Sequence, residues 1–185
     1  MPRTARVEYG PALGTPRRYK QALRECPSAP PEARLGLAAC HFKLGNLRRA
    51  VAAYERVLQL APACTPALLG LAVLKMRFGA GEEELQQGSQ LLVRAFSLDP
   101  ANPHVLVLLA HFCLRQAYRD KAARLAQAAL ELSGSGAVRA EALAVLARAH
   151  HARGQLNDAY RLYAEVGAGW AWDVGGWLFF WGGCR

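Results

Sequence analysis

Residues 31–64 read PEARLGLAACHFKLGNLRRAVAAYERVLQLAPAC, two apolar runs separated by Gly45-Asn46. Glycine and asparagine both tolerate a left-handed backbone, so this dipeptide predicts a turn between two helices. The pattern returns about every 34 residues, and one small residue per repeat falls in register. These residues are Ala50, Gly88, Ala122 and Ala159. The sequence therefore predicts tandem pairs of antiparallel helices.

Helix pairs at this period are typical of the tetratricopeptide repeat (TPR). The expected fold class is all-α, a right-handed superhelical solenoid of antiparallel helix pairs in which each pair packs on its neighbours. We expect an irregular N-terminus at 1–18, a TPR array at 19–166 and a non-repeat tail at 167–185. The array is predicted to contain a half repeat at 19–29 and repeats at 31–64, 65–102, 103–136 and 137–166.

The tail, residues 167–185, breaks the repeat because it holds all four tryptophans and many glycines without a period. We expect it to be an aberrant chain end that is poorly ordered and dispensable. The alternative is an apolar anchor for a partner or a hydrophobic cap over the last helix pair. It is too short and too rich in glycine to span a bilayer.

The net charge of +9 comes mostly from arginine. A nucleic-acid footprint would gather basic residues on one face with interleaved aromatic residues. Here the arginines are spread over every repeat, which favours a solvated outer face. Direct nucleic-acid binding is therefore not expected.

The five cysteines have irregular spacing and form no Cys-x-x-Cys pair, which predicts free thiols in a reducing compartment. The N-terminal residues contain no apolar core of a secretory signal, and no stretch approaches the roughly 18 apolar residues of a membrane span. Neither secretion nor membrane association is expected.

Candidate catalytic and metal-binding residues do not form a recognisable arrangement. His150 and His151 are adjacent, and neighbouring residues on a helix point about 100° apart, so they rarely bind one ion together. The serines lie outside any Gly-x-Ser-x-Gly turn, and the glycines lack the lysine and strand of a phosphate-binding loop. We predict that the protein is not an enzyme and needs no cofactor, metal or small-molecule substrate.

The concave surface of a TPR array is lined by one stripe of each first helix. This stripe predicts a protein-binding groove, mostly apolar and turning basic in the fourth repeat at Arg148 and His151. The predicted groove residues are Leu35, Phe42, Leu69, Val73, Met76, Val107, His111 and Leu114. The alternative is that the stripe only packs between neighbouring helices.

Three runs are more specific than the general TPR pattern. Residues 34–44, 67–74 and 88–112 read RLGLAACHFKL, ALLGLAVL and GSQLLVRAFSLDPANPHVLVLLAHF. Over residues 19–166 the chain resembles the TPR region of the Cln-three-requiring protein nine family, the scaffold subunit of the RNA polymerase II-associated factor (PAF) complex. The resemblance implies a nuclear scaffold that holds other PAF-complex subunits and meets the polymerase machinery indirectly. It also implies support of transcription elongation, H2B ubiquitination and H3K4 methylation.

Three other functions compete with this interpretation. An unrelated TPR adaptor could serve chaperones, transport or signalling, but Leu35, Ala39, Leu69 and Val73 stand where a chaperone-tail clamp needs lysine and asparagine. A regulatory TPR region of an enzyme such as a glycosyltransferase would need a catalytic domain. A helical-repeat RNA reader would need paired polar side chains in each repeat, and the apolar stripe does not supply them.

Overall fold

A computed structural model of the chain describes residues 16–26, 30–79, 81–134 and 136–170. The described residues form nine α-helices and no strand, so the all-α fold is confirmed. The helices are α1 Pro16–Glu25, α2 Pro31–Lys43, α3 Leu47–Leu60, α4 Thr65–Phe78, α5 Glu82–Leu98, α6 Pro103–Arg115, α7 Arg119–Leu132, α8 Gly136–Ala152 and α9 Leu156–Trp170. The chain divides into two compact units, Met1–Leu98 and Asp99–Arg185.

The first unit stacks α1 to α5 in chain order. Helix α2 packs on α3 and α4 packs on α5, while α1 packs on α2 and α3 packs on α4. Proline opens α2 and occupies the first turn of α4, where its missing N–H would have no partner within the helix. The buried core of this unit contains Ala38, Ala50, Tyr54, Val57, Ala67, Leu71 and Leu74.

The second unit contains α6 to α9, with α6 packed on α7, α7 on α8 and α8 on α9. Helix α6 begins at Pro103, directly after Asn102, whose side chain accepts a 3.0 Å hydrogen bond from the backbone N–H of His104. That bond satisfies one of the donors left free at a helix start. The buried core includes Leu106, Val107, Ala110, Ala126, Val145 and Ala149.

The small residues that set the repeat register are all buried. Ala50 and Ala122 are fully buried and Ala159 is 3% exposed. Gly88 shows the reason, because a Cβ at this position would lie 3.1 Å from the Ala72 carbonyl oxygen and still closer to the Met76 side chain. The two helices of this pair approach closely enough that a larger residue would have to displace its neighbours.

The turns within the helix pairs use a left-handed residue at equivalent places. Gly45 has a φ of 72°, as the sequence predicts, and Gly154 has a φ of 79°. Ala117 occupies the equivalent position in the second unit with a φ of 61°, although alanine rarely adopts this conformation. The turn that joins α6 to α7 is therefore strained.

The observed helices extend past both predicted ends of the repeat array. Helix α1 begins at Pro16, inside the segment predicted to be irregular, and α9 continues to Trp170, past the predicted end of the array at Val166. The predictions for residues 1–15 and 171–185 lie outside the described residues. Among the helices that the structure describes, none is long and apolar enough to cross a membrane.

Candidate protein-binding surface

The first unit brings five of the predicted groove residues onto two neighbouring helices. Leu35 and Phe42 come from α2, and Leu69, Val73 and Met76 come from α4, which packs beside α2. All five side chains are half-buried. Leu69, Val73 and Met76 follow a spacing of four and three residues, which places them on one face of the helix. These five residues are called the unit-1 groove below.

An aromatic pair that the sequence analysis missed extends the unit-1 groove. The rings of Phe42 and Phe78 meet edge to face, with their centroids 6.1 Å apart and their planes at 64°. The Arg77 guanidinium lies 5.5 Å from the centroid of the Phe78 ring. Phe78 is 47% exposed, so apolar surface remains available at this end of the groove. Phe78 was missed because it lies outside the stripe that defined the prediction.

Part of the predicted stripe also stabilises the unit itself. Leu35 and Phe42 pack against the core around Ala38 and Leu71. The Met76 side chain lies over Gly88, so it fills the space between α4 and α5. Leu35, Phe42 and Met76 are therefore shared between two roles. Part of each side chain packs between helices, and the remainder belongs to the surface called the unit-1 groove.

The second unit places two of its three predicted residues in the interior. Val107 is 2% exposed and His111 is 4% exposed. His111 Nε2 lies 3.5 Å from Glu141 Oε1 on α8. Burial lowers the pKa of His111, and Glu141 opposes this effect by favouring the charged form. Both residues belong to the packing between helices and offer almost no surface to a partner.

Leu114 is the groove residue of the second unit that stays half-buried. It borders a shallow cavity of about 280 Å³ that Arg148, His151 and Ala152 also line. Arg148 and His151 are exposed on α8. The surface beside Leu114 is therefore small and carries a cationic side chain.

A second cavity of about 550 Å³ lies at the α6–α7 turn. Four basic side chains line it: Arg119, Lys121, Arg124 and Arg153. Asp120 forms an ion pair with Arg153, in which the carboxylate oxygen and the guanidinium nitrogen are 2.6 Å apart. The side chains that line the cavity therefore carry a net positive charge. The sequence analysis did not predict this cluster, because three of its members lie on α7 and Arg153 lies in the α8–α9 turn, more than 25 residues away in sequence.

The described residues contain no group of three histidine, cysteine, aspartate or glutamate side chains that could hold a metal ion. Cys26, Cys40, Cys64 and Cys113 are free thiols. Burial raises the pKa of Cys40 and of Cys113, which favours the unreactive protonated form.

Comparison with known proteins identifies the repeat. The tetratricopeptide repeat family model matches residues 31–64. Over 148 residues the chain is 27% identical to the RNA polymerase-associated protein CTR9 of Caenorhabditis elegans. Over 145 residues it is 30% identical to the CTR9 homolog of Arabidopsis thaliana. The chain is therefore similar to CTR9 over most of its length and contains a TPR repeat.

The similarity to CTR9 covers 80% of this chain for the worm protein and 78% for the plant protein. In both cases the chain spans only 13% of the relative's length. The similarity therefore concerns a TPR segment of much longer proteins.

Solved structures agree on the fold. A thermophilic TPR protein of Thermus thermophilus matches 82% of this chain and 79% of its own, with a TM-score of 0.69 at 23% identity. A chain of the APC/C hetero-tetramer Cut9-Hcn1 matches 83% of this chain and 29% of its own, with a TM-score of 0.75 at 18% identity. The predicted TPR fold is confirmed.

Proposed function

We propose that this chain is a non-catalytic scaffold segment of a PAF-complex subunit. The observation that carries the proposal is the similarity to CTR9 over about four-fifths of the chain, at 27% and 30% identity. One of these relatives is named as an RNA polymerase-associated protein. In this proposal the protein is nuclear and supports RNA polymerase II elongation, H2B ubiquitination and H3K4 methylation.

The unit-1 groove supports a scaffold role because it offers apolar side chains beside an exposed aromatic ring. Val73 and Met76 are half-buried, and Phe78 is 47% exposed. Apolar anchors that enter such a surface carry most of the energy of a protein interface. The occupant in this proposal is an apolar segment of another PAF-complex subunit, and contact with the polymerase machinery is indirect.

Co-purification from nuclei tests the proposal. A tagged copy of the full chain is expressed in cells, and the proteins recovered with it from nuclear and cytoplasmic fractions are identified by mass spectrometry. Recovery of PAF-complex subunits from the nuclear fraction is expected. Recovery of chaperones or transport factors without those subunits would contradict the proposal and favour an unrelated TPR adaptor.

A further inference from the structure

Helix α7 begins with charges that oppose its own dipole. The N-terminal end of a helix carries a partial positive charge, and acidic side chains are the ones that stabilise it. The first turn of α7 contains two basic side chains, Arg119 and Lys121, and one acidic side chain, Asp120. The Asp120 carboxylate pairs with Arg153, which lies in the turn between α8 and α9. The start of α7 therefore carries more positive charge than its own residues balance.

The backbone at this end of α7 adds hydrogen-bond donors. The first N–H groups of a helix have no acceptor within the helix, and a side chain at the N-cap often supplies one. Tyr118 occupies the N-cap of α7, and among the described contacts its side chain forms no capping hydrogen bond. The Tyr118 ring is 64% exposed and borders the cavity at the α6–α7 turn. An anion bound here would meet both the positive end of the helix dipole and backbone donors.

The four basic side chains that line this cavity are exposed, and three of them have no ion-pair partner among the residues that the structure describes. These three are Arg119, Lys121 and Arg124. Lys121 and Arg124 are three residues apart on α7, so they lie on the same side of the helix. Asp120 stands four residues before Arg124, a spacing that allows a pair within the helix, yet it contacts Arg153 at 2.6 Å. Three cations of the cavity are therefore left without a compensating carboxylate.

We infer that this cavity binds an acidic segment of a protein partner, one with several aspartate or glutamate side chains in a row. Charge complementarity favours this occupant, since four basic side chains and one acidic side chain line a cavity of about 550 Å³. Three of the basic side chains are arginines, whose planar guanidinium groups bind both oxygens of a carboxylate. The N-terminus of α7 supplies N–H donors for the same groups.

A nucleic acid fits the cavity less well than an acidic peptide. Single strands bind along an extended basic groove and stack successive bases on aromatic side chains. Here the basic side chains come from the start of α7 and one neighbouring turn, and Tyr118 is the aromatic residue among those that line the cavity. The cavity lies on the second unit, whereas the unit-1 groove lies on the first. The inference does not depend on the function proposed above.

Fluorescence anisotropy with the full chain tests the site. The probe is a fluorescein-labelled peptide, Gly-Ser-Glu-Asp-Glu-Glu-Asp-Glu-Ser-Gly, and a second peptide has glutamine and asparagine in place of the acidic residues. Saturable binding is expected for the acidic peptide alone, and added salt should weaken it because exposed charges are screened. Arg124→Glu should weaken binding about fivefold or more, since the change replaces an attraction with a repulsion. Arg124→Lys keeps the charge and should stay within about threefold of the unaltered chain.

Arg161→Glu is the matched control. Arg161 is exposed on α9 of the same unit and does not line the cavity, so this variant has the same change in net charge at a different place. Its affinity for the acidic peptide should stay within about twofold of the unaltered chain. Circular dichroism and thermal melting check that each variant is folded.

The outcomes that would overturn the inference are distinct. Absence of saturable binding, or equal binding of the acidic and the uncharged peptide, would show that the cavity does not select acidic side chains. Equal weakening by Arg124→Glu and Arg161→Glu would show that only the net charge of the chain matters. A single-stranded oligouridylate of the same length that binds more tightly than the acidic peptide, and depends on Arg124, would show that a nucleic acid is the occupant.

Discussion

The ring of Tyr54 fills the space in which a side chain of residue 70 would stand. A Cβ on Gly70 would lie 2.5 Å from Cζ and 2.7 Å from Cε1 of this ring. Burial raises the pKa of Tyr54 to about 12, because an ionised phenol would be poorly solvated there. This contact joins the first helix pair to the second within the first unit. The contribution of this contact to stability can be tested by substituting Gly70.

Gly70→Ala should destabilise the chain. In an open helix interior the same change stabilises by about 1 kcal/mol, since alanine is the better helix former. At position 70 the added Cβ would displace the Tyr54 ring, and overpacking of this kind costs about 1–3 kcal/mol. Urea denaturation followed by circular dichroism measures the change. Gly136→Ala is the control, because no atom lies within 4 Å of a Cβ at that helical position. An equal gain in stability at both positions would contradict the packing described here.

Ala117→Gly should stabilise the chain. Ala117 has a φ of 61°, and an L-residue in the left-handed region costs about 1–2 kcal/mol relative to its preferred conformations. Glycine removes this cost, although its greater freedom in the unfolded chain offsets part of the gain. A net gain of about 0.5–1 kcal/mol is expected in thermal or urea denaturation.

The equivalent turns provide the reciprocal experiment. Gly45 and Gly154 have φ values of 72° and 79°, so Gly45→Ala and Gly154→Ala should each lose stability. Beyond the adjacent residues, no atom lies within 4 Å of a Cβ at either position, so the loss would report backbone strain and not a steric clash. Stabilisation by alanine at these turns would contradict the left-handed assignment.

The chain should lose stability as the pH falls below about 6.5, the ordinary pKa of histidine. His111 is 4% exposed, and burial lowers its pKa in the folded state despite the opposing effect of Glu141. The unfolded chain therefore takes up a proton at a higher pH than the folded chain. Stability is retained above the unfolded pKa and declines as the pH falls towards the folded pKa. His41 acts in the same direction, since burial also lowers its pKa.

Urea denaturation at pH 7.5 and pH 5.5 measures this dependence. A single titrating group changes the free energy of unfolding by at most about 1.4 kcal/mol per pH unit. His111→Gln should reduce the difference between the two pH values, whereas His104→Gln at an exposed position should not. The same pH dependence in His111→Gln as in the unaltered chain would show that His111 has no part in it.

The ends of the helices could be predicted closely where residues that favour a turn separate them. The turn predicted at Gly45-Asn46 lies between α2, which ends at Lys43, and α3, which begins at Leu47. Which of the predicted groove residues are exposed was harder to predict, because the stripe on one helix does not show which neighbouring helix covers it. Val107 and His111 share the stripe of Leu114 but lie against α8, as the Glu141 contact of His111 shows. Gly36 lies against Tyr19 in the same way that Gly70 lies against Tyr54. Both glycines stand in a repeated Leu-Gly-Leu-Ala sequence, at residues 35–38 and 69–72, but only the structure shows which tyrosine meets each glycine.

Charging the centre of the unit-1 groove should weaken partner binding. Val73 is half-buried between Leu69 and Met76, so Val73→Asp would place a charge where an apolar partner segment is proposed to lie. A loss on the order of 2 kcal/mol or more is expected, the range of interface hot spots. Arg56→Glu is the comparison, because Arg56 is exposed on α3 and donates a 2.8 Å hydrogen bond to Gln59, three residues away on the same helix. Reversing that charge should cost little.

Both groove variants are tested in one pull-down with nuclear extract, after circular dichroism shows that each is folded. Reduced recovery of partners with Val73→Asp and unchanged recovery with Arg56→Glu are expected, because burying an unpaired carboxylate is far more costly than altering an exposed charge. The reverse result would mean that a basic outer surface binds the partner, and the apolar-groove mechanism would then be wrong. Phe78→Ser adds an independent measure, since its 47% exposed ring borders the groove and its loss should weaken binding without burying a charge.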